Sequence, residues 1–244
     1  VYADRYTPVE VMRTLRKASR HCYLLESASQ TEVWGRYSFL GYEPVMEITC
    51  TDGYMKIRHT EVGNDEVVTK QVAHPGDTLR EILKEYKSPV MEEMPPFTGG
   101  LVGYFSYDYI KYSEPKLKLG EHEDPDFRDM DLMLFDQVIA FDHYRQKVLL
   151  ITGVMLDDLE KSYQKAEKKL QEMADLIRDG EKEEFPSLKL ASEIKPQFPK
   201  EKYCDMVEKA KHYIHEGDIF QVVLSNPMRA KAEGSLFDTY RVLR

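Results

Sequence analysis

Glu26 and Ser27 close an apolar run within the stretch 23–41, YLLESASQTEVWGRYSFLG. Tyr23, Leu24 and Leu25 read as a strand, and the carboxylate and hydroxyl fall where it ends. A second run carries Tyr37, Phe39 and Leu40. Arg36 and Ser38 alternate with these apolar neighbours, which predicts that they point to the face opposite Tyr37 and Phe39. A carboxylate, a hydroxyl and free backbone groups at a strand end, beside aromatic rings, could hold the ammonium group of an amino acid. The same residues also fit a plainer account, in which Glu26 caps a turn and Ser27 bonds locally.

Other residues with chemical potential are more scattered. Three glycines, Gly99, Gly100 and Gly103, interrupt the otherwise apolar stretch 97–109, FTGGLVGYFSYDY. Glycine weakens a strand, so such a cluster points to close approach of a ligand or to tight packing against another backbone. His122 lies among Glu121, Glu123 and Asp124, but without the spacing of a metal site. The charged, proline-containing segment 113–129 therefore reads as a solvated loop. Cys22, Cys50 and Cys204 form no metal spacing either, and are expected to be reduced, buried thiols of a cytoplasmic protein.

The elements that would position these residues follow from pattern. Thr7, Pro8 and Glu10 have the spacing of a capping box, with Val11, Leu15 and Ala18 on one helical face. Strands are expected at 22–26, 36–40, 45–50, 54–59 and around 67–72. Asp52-Gly53 marks a hairpin, and a second acidic turn falls at 63–65. Asp77 is expected to cap a helix reaching about Tyr86. Runs 132–141 and 148–154 should pair as one long hairpin across 143–146, with Phe135, Val138, Ile139, Leu149 and Ile151 in the core. Asp157 should open the longest helix, to about Arg178, with Leu159, Tyr163, Ala166, Leu170, Met173 and Ile177 along one stripe. Its charged face is solvated surface.

Residues 179–199 contain three prolines and no steady period, which reads as a linker between a domain at 1–178 and a second unit at 200–244. In that second unit a helix should end at Gly217, a strand should run from 219 to 225, and another helix should start near Ser235. The whole is expected to be α+β, with antiparallel sheets packed face to face and helices outside.

The 244 residues carry a net charge of −9, which disfavours a nucleic-acid or anionic-membrane surface. No run approaches the roughly 20 apolar residues of a membrane span. The chain starts with Val1 and stops inside an apolar helical pattern, SLFDTYRVLR, as expected of a piece of a longer protein.

LLES at 24–27 followed by GRYSFLG at 35–41 resembles the N-terminal half of anthranilate synthase component I. Similar motifs recur at 97–109 and at 216–225, EGDIFQVVLS, so the likeness spans nearly the whole chain. The large subunit of aminodeoxychorismate synthase shares the architecture and many of these motifs. The resemblance implies a tryptophan pocket for feedback inhibition, lined by Leu25, Glu26, Ser27, Tyr37 and Ser38. It implies chorismate and ammonia as substrates, anthranilate and pyruvate as products, Mg2+ as cofactor, and a glutamine amidotransferase subunit (component II) as partner. Gln221 matches a position that holds a lysine base in relatives adding water to chorismate; ammonia brings its own lone pair and needs no such base. Asn226-Pro227 is followed by Met228 and Arg229, so it is not the Asn-Pro-Ser-Pro-Tyr motif of the inhibitor pocket. That motif, the magnesium-binding glutamates and most chorismate contacts are expected beyond Arg244, and the fragment alone is expected to be inactive.

Overall fold

The computed structural model describes residues 2–27, 35–60, 66–114, 116–117 and 127–244. The loop at 28–34, the turn at 63–65 and the acidic group around His122 lie outside them. The chain divides into two compact units, Val1–Glu183 and Glu184–Arg244.

The first unit opens with helix α1 (Pro8–Ala18), whose Thr7 hydroxyl accepts from the Glu10 N–H at 3.2 Å, as the capping residues predicted. Strands β1 (Cys22–Leu25), β2 (Tyr37–Tyr42), β3 (Met46–Thr51), β4 (Tyr54–His59) and β5 (Val67–Gln71) follow. Helix α2 (Pro75–Glu85), β6 (Gly100–Phe105), a short 3-10 turn (Tyr107–Tyr112), β7 (Met130–Phe135), β8 (Gln137–Asp142), β9 (Lys147–Thr152) and α3 (Leu159–Asp179) complete it.

The strands form two antiparallel sheets, ordered β1-β2-β8-β9 and β5-β4-β3-β7-β6. The fold is α+β, as the pattern predicted. Two chain segments pass from one sheet to the other: β2 pairs with β8 in one, and their neighbours in sequence, β3 and β7, pair in the other. The passage takes residues 43–45 on one side and Asp136 alone on the other. Glu43 adopts φ 49° at the first bend. The expected hairpin of 132–141 with 148–154 is therefore split at Asp136. Only 137–142 pairs with 147–152, and 130–135 turns into the five-stranded sheet. The apolar run 132–141 hides this bend, because both halves are buried.

Helices cover the outer faces. Val11 and Leu15 of α1 and Met173 and Ile177 of α3 pack on Leu40, Tyr42, Ile139 and Phe141. Leu79 and Ile82 of α2 pack on Ile48, Met55 and Leu132 of the five-stranded sheet. Two helix starts differ from expectation. The α2 helix begins at Pro75, which suits the first helical position; Asp77 lies inside the first turn and pairs with Arg80 at 2.7 Å. Asp158, not Asp157, caps α3.

The Asp52-Gly53 hairpin is present, with φ 50° and 80°, the left-handed pair that a two-residue turn of this hand requires. It is braced from the side. The buried Asp129 carboxylate accepts from the Asp52 N–H and the Tyr112 hydroxyl, each at 2.7 Å, and pairs with Lys111 at 2.9 Å. Gly103 explains part of the glycine cluster: a Cβ there would stand 2.0 Å from the Asp131 carbonyl oxygen of β7. The close approach is that of a neighbouring backbone.

The second unit holds β10 (Lys189–Leu190), β11 (Lys195–Pro196), α4 (Lys200–His215), β12 (Met228–Arg229), β13 (Ala232–Glu233) and α5 (Phe237–Leu243). The β10 strand pairs with β13 and β11 with β12. The stretch 179–199 thus ends one unit and supplies two strands to the other, instead of forming a plain linker. Gly217 follows α4 with φ 83°, as its expected capping role requires. The expected strand at 219–225 is irregular, with Phe220 94% and Val223 83% exposed. A strand needs a pairing neighbour, and 219–225 has none among the described residues.

Candidate functional site

The candidate site is built on β1 and β2. Their register sets Tyr23 opposite Gly41 and Leu25 opposite Phe39. Cross-strand partners share a face, so Tyr23, Leu25, Tyr37 and Phe39 lie on the side away from α1 and α3. There they make an aromatic surface. Tyr37 stacks on Phe39 with centroids 5.8 Å apart, Phe39 meets Phe97 edge-on at 5.6 Å, and Tyr23 meets Phe135 at 4.7 Å. Val138, Ala140, Ile151 and Met94 extend it. Burial pushes the Tyr23 phenol pKa well up, so it stays a neutral hydroxyl. Leu25 is 47% exposed at the rim. Glu26 follows it half-buried and Ser27 exposed, both directly past the strand end.

Ser38 follows the expected alternation and so departs from the pocket that the resemblance implied. Its side chain turns to the helix-covered face, is 2% exposed, and bonds to His143 Nε2 at 2.7 Å. The period-two pleat puts it opposite Leu25 and Tyr37, so its hydroxyl does not join theirs. Arg36 departs in the other sense. It precedes the strand and escapes the pleat, so its guanidinium lies over the Tyr37 ring, 4.8 Å from the centroid. It bonds both oxygens of Asp142, at 2.7 and 3.2 Å. The Asp142 carboxylate also accepts from the N–H groups of Tyr144 and Arg145, which closes the turn to β9. Burial alone would raise the Asp142 pKa; the Arg36 guanidinium and the two N–H groups outweigh it and hold the carboxyl below its ordinary value.

The structure therefore brings together Leu25 and Tyr37 on one face, with Glu26 and Ser27 at the adjoining strand end. It sets Ser38 on the other face. Asp142 and His143 were not singled out from sequence. They lie 105 residues or more from their partners, and the only local signal is a polar turn, DHYRQ. Gln221 lies in the second unit, exposed, in the irregular stretch 219–225.

The thiols offer little reactivity in the first unit. Burial pushes Cys22 up to about 11 and raises Cys50. Cys204 is exposed, contrary to the expectation that all three are buried. Among the described residues no group of three or more His, Cys, Asp or Glu is arranged to hold a metal ion. No helix of the described residues is long and apolar enough to cross a membrane.

Two antiparallel sheets with outer helices make the first unit an α+β fold, and residues 20–244 match a known family in sequence: the chain belongs to the family described as chorismate binding enzyme. Within that family it is similar to anthranilate synthase component 1 of Acinetobacter calcoaceticus, 34% identical over 99% of this chain and 48% of the relative. It is also similar to aminodeoxychorismate synthase component 1 of Bacillus subtilis, 32% identical over 94% of this chain and 47% of the relative. The crystal structure of anthranilate synthase component I from Streptococcus pneumoniae TIGR4 superimposes with a TM-score of 0.68 at 30% identity, covering 100% of this chain and 51% of that one. The chain spans about half the length of the relatives it matches.

Proposed function

We propose that this chain is the N-terminal part of an anthranilate synthase component I. The observation that carries the reading is the similarity to enzymes of that name over essentially the whole chain, with 31–34% identity for the Acinetobacter and Acetivibrio thermocellus proteins. The complete protein would work in the cytoplasm, taking ammonia from a glutamine amidotransferase subunit. Ammonia adds to the chorismate ring and water leaves; the enolpyruvyl group then departs as pyruvate, and the ring becomes the aromatic anthranilate. Residues 1–178 would carry a regulatory pocket for tryptophan at Leu25, Glu26, Ser27 and Tyr37. Residues 200–244 would open the chorismate-binding domain, with Gln221 beside the substrate. Mg2+ would be held by residues of the other half, where it would bind a chorismate carboxylate.

A second reading, the large subunit of aminodeoxychorismate synthase, is favoured by the Bacillus subtilis relative. The two differ in the ring carbon that is aminated and in the fate of the enolpyruvyl group. Anthranilate formation releases pyruvate, whereas aminodeoxychorismate keeps the enolpyruvyl group. The complete protein, given chorismate, Mg2+ and ammonium, is expected to release pyruvate and fluorescent anthranilate one for one. An aminated product without pyruvate would select the second reading, and no amination would sink both.

A further inference from the structure

The start of β2 is tied to the end of β8 on both faces of the sheet. On the aromatic face, Arg36 grips Asp142 through two hydrogen bonds, with its guanidinium over Tyr37 and 5.6 Å from the Tyr144 ring. On the helix face, the Ser38 hydroxyl meets His143 Nε2 at 2.7 Å, and the His143 ring stacks on Phe141 with centroids 6.4 Å apart. Between them, the His143 N–H donates to the Arg36 carbonyl at 2.9 Å. Tyr37 is thus the middle residue of three, with both neighbours anchored to consecutive residues, the last of β8 and the first of the turn after it. Its register partner is Asp142 itself.

We infer that Arg36, Ser38, Asp142 and His143 act as positioning residues that hold the Tyr37 ring in the orientation an aromatic amino acid meets beside Leu25 and Glu26; this rests on the pocket reading proposed above. The physical reason lies in strand mechanics. A strand end can roll about its axis, and a roll at residue 37 carries the ring with it. Bonds on opposite faces oppose roll in both directions, whereas bonds on one face oppose it in only one. The Tyr37 ring itself stacks on Phe39 and lies beneath the Arg36 guanidinium. Ser38 would then affect the ligand without touching it, which reconciles its place in the motif with its burial on the far side. A pre-positioned ring spares the ordering cost that a mobile one would add on binding.

The test is L-tryptophan binding to the complete protein by titration calorimetry. Each variant is checked for folding by its thermal transition. His143→Ala and Ser38→Ala are each expected to weaken binding about three- to tenfold, the range of one hydrogen bond. The double variant should be no weaker than the poorer single, because both remove the same bond. His143→Gln, which keeps a polar group near the Ser38 oxygen, should recover most of the loss. If His143→Ala fails to fold, Ser38→Ala alone carries the test, since it removes one oxygen and adds no bulk. A wild type that binds tryptophan while Ser38→Ala and His143→Ala bind equally well overturns the positioning role and leaves the pocket reading intact. Additive losses, or a His143→Gln as weak as His143→Ala, overturn it too, by assigning the loss to general packing. A wild type that does not bind tryptophan overturns the pocket reading and this inference with it.

Discussion

The Tyr23 ring occupies the space over Gly41. A Cβ at Gly41 would stand 2.3 Å from Cε1 and 2.8 Å from Cζ of that ring, and the two residues are direct cross-strand partners. The motif at the end of β1 and the motif of β2 are therefore one packed unit, in which a glycine leaves the room that a tyrosine fills.

Gly41→Ala is accordingly expected to push the Tyr23 ring off Phe135 and Phe97. Overpacking of this kind costs about 1–3 kcal/mol. Tyr23→Val relieves the clash at the expense of aromatic contacts. The double variant should lose less than the sum of the two singles, as read from urea midpoints. Strict additivity would show that the ring already has room to move.

Acid should weaken the first unit through two buried carboxylates. Burial by itself would raise both. For Asp129 the bonds from Tyr112, Lys111 and the Asp52 N–H outweigh that cost; for Asp142 those from Arg36 and the Arg145 and Tyr144 N–H groups do so. Each folded pKa then lies below the unfolded value of about 3.9. Stability from such a pair is fully present above the unfolded pKa and drains away as pH falls through the folded one. Urea midpoints should hold steady from neutral pH to about 5 and drop below about 4. Asp142→Asn should start lower at pH 7 and lose less on acidification. An unchanged acid limb in that variant would remove Asp142 from the account.

In the complete protein Glu26→Gln should weaken tryptophan binding about ten- to a hundredfold, because a charge-assisted contact to an ammonium contributes about 1.5–3 kcal/mol. Ser27→Leu should do more, since it also fills the space past the strand end with a branched chain. Inhibition curves with tryptophan measure both. If Ser27→Leu leaves inhibition unchanged, the pocket does not lie at this strand end.

Hydrogen exchange should separate the two ends of the chain. Phe220 and Val223 are almost fully exposed and 219–225 pairs with no strand among the described residues, whereas Val138, Ile139 and Ala140 of β8 are fully buried. Amides at 219–225 are expected to exchange much faster than those of the β8–β9 hairpin. The same chain, mixed with chorismate, Mg2+ and ammonium, should produce no anthranilate fluorescence. Turnover would show that Gln221 and its surroundings already form a working site.

The amino-acid sequence alone determined what depends on near neighbours. Thr7, Pro8 and Glu10 start α1 because a cap, a preset φ and a first-turn carboxylate act within four residues. Asp52-Gly53 turns the chain because those two residues tolerate positive φ. The stripe Ala166, Leu170, Met173 and Ile177 announces α3 by its period. The pairing of β1 with β2 was equally legible, since two strands ten or so residues apart have few other ways to meet.

Tertiary structure decided the rest, because it turns on contacts that no local period records. Asp136 parts one apolar run into two sheets, and burial on both sides of it leaves no mark in hydropathy. The pleat carries Ser38 away from Tyr37, but only the packing of α1 and α3 says which face is covered. His143 reaches Ser38 across 105 residues. Residues 219–225 have the β-branched content of a strand and still form none, since a strand is completed by hydrogen bonds to a neighbour and not by its own side chains.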